Sequence, residues 1–146
     1  MRQMRNIIVT MMLFATACTK DETPTPSWAQ LVGITVTIGD LTFSATLEQN
    51  STAEAFRNLL PLTLEMSELN GNEKYHYLST SLPTNRTTPR TIHAGDLMLY
   101  GDNCVVLFYE TFTTSYRYSP LGHLTDTEDL KDALGCGASH VVFTME

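Results

Sequence analysis

At 146 residues the chain is one domain in size, long enough to bury a core without disulfide staples. A hydrophobic content of 42% with 17% charged residues is that of a globular protein and excludes a disordered one. The formal charge is −7, and beyond Arg2 and Arg5 seven basic side chains face sixteen acidic ones, so phosphate backbones are repelled and nucleic acid is not an expected partner.

Met1–Asn6 carries two arginines and no acid, Ile7–Phe14 is apolar apart from Thr10, and Ala15-Thr16-Ala17 precedes Cys18. This is the n-region, h-region and small-residue cleavage pattern of a secretory signal. The apolar run is far short of the ~20 residues that a spanning helix needs. Ala15-Thr16-Ala17-Cys18 resembles the lipobox of bacterial lipoproteins, which implies a signal peptide over residues 1–18 and lipidation of Cys18. The alternatives are a plain secretory signal cut near Cys18 and a cytosolic start with an incidental cysteine. Each buried acyl CH₂ contributes about 0.8 kcal/mol, so two or more chains anchor stably where one does not. Residues 19–30, with Lys20-Asp21-Glu22, Pro24 and Pro26, then form a polar tether. Its acidic start resembles the export tags of some surface-exposed lipoproteins. The expected location is the cell envelope, periplasmic or surface-exposed, with the membrane as a partner through the anchor.

The domain is expected over residues 31–146. Ile34, Val36 and Ile38, then Phe43, Ala45 and Leu47, alternate with polar residues across Gly39-Asp40, which predicts a half-buried hairpin. Ser51-x-x-Glu54 reads as a capping box, and Ala53, Phe56 and Leu60 recur at helical spacing, so a helix is expected over Ser51–Leu60 and is stopped by Pro61. Leu62, Leu64 and Met66 make another strand. Asn70-Gly71 is a strong hairpin signal, and Glu73–Leu78 returns with Tyr75 and Tyr77 on one face. Ser79–Thr91 reads as a polar loop. Leu97–Tyr100 and Cys104–Tyr109 flank Gly101-Asp102-Asn103 as a third hairpin, and the second of these runs is apolar throughout, as in a strand covered on both faces. Glu110–Leu121 reads as a polar-aromatic loop. Thr125-x-x-Glu128 reads as a second capping box opening a helix over Asp126–Leu134, stopped by Gly135, and Val141, Phe143 and Met145 form a last strand.

Seven or so strands and two short helices in so small a domain must pack as a sandwich or close as a barrel, and closure removes exposed edges. The expected class is therefore mainly β, with two short α-helices plugging the ends or lying across one face. Cys104 reads as a buried small hydrophobe and Cys136 as a turn residue, with a bridge between them left open.

Phe43-x-Ala45-x-Leu47, Asn50-x-x-Ala53, Leu60-Pro61, Asn70-Gly71-Asn72-Glu73-Lys74-Tyr75, Gly95-Asp96-Leu97, Phe108-Tyr109 and Gly122 together resemble the bacterial cyclophilin-like domain family, over about residues 31–146. The resemblance implies a closed barrel of cyclophilin type. It leaves activity open, because fold does not fix function.

True cyclophilins are prolyl isomerases that use a strand arginine, aromatic residues for the proline ring and a nearby histidine. The barrier to rotation about the peptide bond is about 18–20 kcal/mol, and a positioned guanidinium opposes the resonance behind it. Ser139-His140-Val141-Val142-Phe143 resembles the cyclophilin strand that carries the histidine, but Glu73–Tyr77 has no arginine. Arg57, Arg86, Arg90 and Arg117 are expected on a helix or in loops. The four histidines show no paired-ligand spacing, so no metal site is expected. Asp96 after Gly95 reads as a turn cap, and without a phosphate loop or nucleophile elbow no cofactor is expected.

The segment Tyr109–Pro120 has the aromatic hydroxyl chemistry of a recognition surface. Tyr109, Tyr116 and Tyr118, with Glu110 at the rim, Arg117 between the tyrosines and Tyr75 from the neighbouring strand, are the candidate site residues, and Tyr77 joins them if that barrel face borders the pocket. The expected ligand is a peptide or small molecule. The favoured reading is a lipid-anchored binding module, and the alternative is a divergent peptidyl-prolyl isomerase acting on exported proteins.

Overall fold

Alternation along the first two runs fixes their pairing in the computed structural model, which describes residues 31–146. The proposed signal segment, Cys18 and the tether lie outside the described residues. Strands β1 (Val32–Ile38) and β2 (Leu41–Leu47) pair antiparallel with Val36 opposite Phe43 and Ile34 opposite Ala45, placing all four in the core. Gly39 closes the turn at φ +58°, a conformation that costs glycine no Cβ clash.

Helix α1 covers Ser51–Arg57 rather than Ser51–Leu60. Its cap is Asn50, whose Oδ1 accepts the Ala53 amide at 2.8 Å, and not Ser51. Beyond Arg57 the chain tightens through i→i−3 bonds from Leu59 to Phe56 and Leu60 to Arg57, because the residue before Pro61 is driven out of the α region.

The remaining barrel strands are β3 (Leu62–Leu69), β4 (Glu73–Tyr77), β6 (Asp96–Tyr100), β7 (Cys104–Phe108), β9 (Ser119–Leu124) and β10 (Ser139–Met145). Two short strands, β5 (Thr91–Ile92) and β8 (Phe112–Thr113), pair with each other outside the barrel. The barrel closes in the order β1-β10-β3-β4-β7-β6-β9-β2, every neighbour antiparallel. The turn joining β3 to β4 carries positive φ at both Asn70 and Gly71. At Gly122 the backbones of β9 and β2 approach so closely that a Cβ would strike the Thr46 carbonyl oxygen.

Helix α2 is short, Leu130–Leu134 rather than Asp126–Leu134. The second capping box is absent as such: the Thr125 hydroxyl donates to the Ser44 carbonyl at 3.0 Å, and Asp126 accepts from the Glu128 amide at 2.9 Å. A side chain that bonds its own backbone competes with helix formation. Asp129 at φ +65° completes the irregular turn.

Inward-facing side chains of the strands form one core with Ala53 and Phe56 of α1 and Leu130 and Leu134 of α2. Phe56 meets Phe143 edge-on at 5.4 Å between centroids. A second, smaller cluster (Ile92, Met98, Cys104, Val106, Phe108 and Tyr118) lies on the outer face of β6 and β7. This is why Cys104–Phe108 is apolar throughout: the barrel interior covers one face and the segment containing β5 and β8 the other. Among the described residues no helix is long and apolar enough to cross a membrane.

Candidate functional site: a tyrosine-lined cleft outside the barrel

Period-two alternation along β4 sends Glu73, Tyr75 and Tyr77 to the outer face and Lys74 to the inner one. On the same outer face stand Cys104 and Val106 of β7 and Tyr100 at the end of β6. Phe112 and the stretch Thr113–Tyr116, with Tyr118, form the opposite wall. Together they enclose a cleft of about 500 Å³, completed by the β3–β4 turn. Five of the chain's six tyrosines line it.

The rings are set at angles to one another. Tyr75 and Tyr77 meet at 5.8 Å and 78°, Tyr100 and Tyr116 at 6.2 Å and 84°, and Tyr100 and Tyr118 at 5.6 Å and 54°. Tyr118 is anchored below by Phe108, edge-on at 5.5 Å. Tyr77, Tyr100 and Tyr116 are 61%, 45% and 63% exposed, a large aromatic surface left open to solvent.

Glu73 is the carboxylate of the cleft. Burial raises its pKa above the usual carboxylate range, and the nearby charge of Glu68 adds to the effect. Among the described residues no cation comes within ion-pair distance of it, and no lysine or arginine lines the cleft. The Cys104 thiol is pushed up to about 11, first by burial and then by the Glu73 charge, and so stays protonated at neutral pH. Tyr118 is shifted upward for the same two reasons. Cys104 and Cys136 are both free thiols, the first buried and the second exposed.

Of the residues singled out from sequence, Tyr75, Tyr77, Tyr116 and Tyr118 meet in this cleft, whereas Tyr109, Glu110 and Arg117 do not. Tyr109 packs with the barrel core, where its hydroxyl donates to Glu68 at 2.5 Å. Glu110 is paired with Lys131 of α2. Arg117 is exposed and donates to the Arg86 carbonyl at 3.1 Å, tying two loop segments together. The stretch Tyr109–Pro120 is thus not one loop: it begins in the core, forms β8, and enters barrel strand β9 at Ser119. Strand parity carries the split, since Val106 and Phe108 face outward and Tyr109 therefore turns inward.

Glu73 and Tyr100 are the cleft residues not singled out from sequence. The signal for Glu73 was present in the Glu73-x-Tyr75-x-Tyr77 alternation; Tyr100 needed knowledge of the fold, because β6 had to be placed beside β7.

Lys74 is fully buried, on the opposite face of β4. Its ammonium group donates to the carbonyls of Gly135 at 2.9 Å and Gly137 at 2.5 Å and pairs with Glu68 at 2.6 Å. The network fastens β3 and β4 to the turn between α2 and β10. Burial acts to raise the Glu68 carboxyl, but hydrogen bonds from Lys74 and Tyr109 and the Lys74 charge outweigh it, and the net shift is downward.

His140 is exposed on β10 and lies outside the cleft. His76 bonds the Glu65 carbonyl at 2.7 Å, and Asp96 accepts the His93 amide at 2.8 Å as a turn cap. Among the described residues no arginine lies on a strand.

A closed eight-stranded antiparallel barrel, with a short helix packed into its core and an aromatic cleft on its outer face, defines a class of small β-barrel domains. The family model described as the cyclophilin-like family matches residues 36–146, and the chain belongs to that family. A search of curated proteins found no match.

Proposed function

We propose that the protein is a cyclophilin-like binding module, held in the cell envelope by a lipidated Cys18, that captures a small molecule or a peptide side chain in the tyrosine-lined cleft. The observation that carries this reading is the concentration of five tyrosines and one half-buried carboxylate in one concave surface of ligand size. Tyrosines give large contact area at small entropy cost and supply hydroxyls for hydrogen bonding. Prolyl isomerisation is disfavoured because it draws on a positioned cationic donor, and in this cleft the ionisable side chain beside the rings is an acid. Losing such a donor removes about 2.7–4 kcal/mol of transition-state stabilisation. A coupled isomerisation assay on the full chain tests this: turnover at the background rate is expected. Robust turnover that disappears in Tyr116→Ala would overturn the binding-module reading in favour of a divergent isomerase.

A further inference from the structure

We propose that the cleft recognises an organic ammonium group, seated against the Glu73 carboxylate and enclosed by the rings of Tyr75, Tyr77, Tyr100, Tyr116 and Tyr118. The inference rests on the binding-module reading and names its ligand chemistry.

Three independent features converge. The first is ring orientation. Interplanar angles of 78°, 84° and 54° turn neighbouring rings away from a flat stack and present their faces in different directions. A tyrosine face carries negative quadrupolar charge and attracts a cation within about 6 Å of its centroid, so several rings at angles can enclose one cationic group. A flat stack would suit a planar ligand instead.

The second feature is the acid. Glu73 is held half-buried among these rings, and the described residues supply no cation to pair with it. A carboxylate withdrawn from water without a partner is costly, and an entering cation would remove that cost. Glu73 lines the cleft together with Tyr118 and Cys104, and its charge contributes to the upward shift of both.

The third feature is the long-range field. Residues 31–146 carry six lysines and arginines against fourteen acids, so the domain attracts cations and repels anions. Anionic ligands meet both the Glu73 charge and this field. A neutral ligand would gain from the rings but leave the acid unpaired.

A free quaternary amine and the side chain of a partner's lysine share this chemistry, and two probes separate them. Choline and Nα-acetyl-lysine amide would each be titrated into the full chain at neutral pH by calorimetry. Choline's uncharged isostere, in which carbon replaces nitrogen, serves as the control. Proton NMR of the choline methyl groups gives a second readout, since protons held over aromatic faces move upfield.

At least one of the two cations is expected to bind about tenfold or more tightly than the neutral control, with choline methyl protons moving upfield if choline is that ligand. Preference for choline identifies a free amine, and preference for the lysine derivative identifies a side chain. Glu73→Gln, which keeps shape and removes charge, is expected to weaken cation binding about tenfold or more, and Tyr116→Ala, at an exposed ring, to weaken it too. Equal binding of choline and the control, no binding of either cation, or unchanged affinity in Glu73→Gln would overturn the proposal. Capture of a neutral peptide lost in Tyr116→Ala, without cation binding, would overturn it and leave the binding-module reading standing. Isomerase turnover would instead overturn that reading itself.

Discussion

Glu73 sits where strand alternation forces a carboxylate onto a half-buried aromatic face, and its raised pKa makes that placement a stability cost. An acid whose folded-state pKa lies above its unfolded value binds its proton more tightly when folded. Its contribution to stability is therefore fully present below the unfolded pKa and is lost as pH rises through the folded one. The groups acting on it include Glu68 from β3, and Tyr118 and Cys104 across the cleft. The latter two are themselves shifted upward and stay neutral at and below neutral pH, so Glu68 is the charge that reinforces the effect. Glu73→Gln should accordingly raise the Tm by a few degrees at neutral pH, with the advantage shrinking as pH falls below the ordinary carboxylate range. Thermal melts of both proteins across pH check this. A variant less stable at neutral pH, or a gap independent of pH, would show that burial does not strain the carboxylate. Stability given up at one acid is what a functional cleft would produce.

At the scale of elements, the Lys74–Glu68–Tyr109 network joins parts that β pairing alone does not. Strands β3 and β4 are already bonded in register, with Glu68 opposite Lys74, whereas the turn from α2 to β10 is held to them through the Lys74 ammonium group. Lys74→Met keeps the apolar stem but orphans the Gly135 and Gly137 carbonyls and leaves Glu68 without its cation. Breaking a buried pair from one side typically costs about 3–5 kcal/mol. Glu68 is 25% exposed, so the lower end, about 3 kcal/mol, is expected, measured by denaturant unfolding. Cleft binding should be unchanged because Lys74 faces the other way. A loss below about 1 kcal/mol would assign the turn's anchorage to α2 packing instead. None of this was legible in the sequence, where Lys74 is one polar residue in an alternating strand. What was legible from local chemistry was the hairpins at Gly39, Asn70-Gly71 and Gly101, the burial of Cys104 and the two short helices, whereas closure into a barrel rather than a sandwich followed from the family resemblance. Helix limits failed where local bonding beat periodicity, at Leu60 before Pro61 and at the Asp126 turn. The site was half legible. Tyr116 and Tyr118 were found by aromatic density, but Tyr109 and Glu110 were drawn in by nearness in sequence, and only strand parity and the α2 contact separate them from the cleft.

On the scale of the whole molecule, the expectation that remains is attachment. The barrel's acidic balance favours repulsion from anionic lipid surfaces, so electrostatics alone would not hold this domain at a bilayer. Among the described residues no helix can span one either. We propose a covalent device for attachment to a membrane, and the sequence offers Cys18 after Ala15-Thr16-Ala17, preceded by an apolar run and two arginines. Transfer of two or more acyl chains to that cysteine gives stable anchoring at about 0.8 kcal/mol per buried CH₂, where one chain gives only reversible binding. Labelled fatty acid supplied to bacterial cells expressing the full chain should enter the protein, and Cys18→Ala should abolish the label and release the protein from the membrane fraction. Cys136→Ala, at the exposed thiol, is the control and should change neither. Label retained in Cys18→Ala, or a mature N-terminus mapped away from residue 18 by mass spectrometry, would remove the anchor and leave a barrel whose acidic surface gives it no hold on the bilayer.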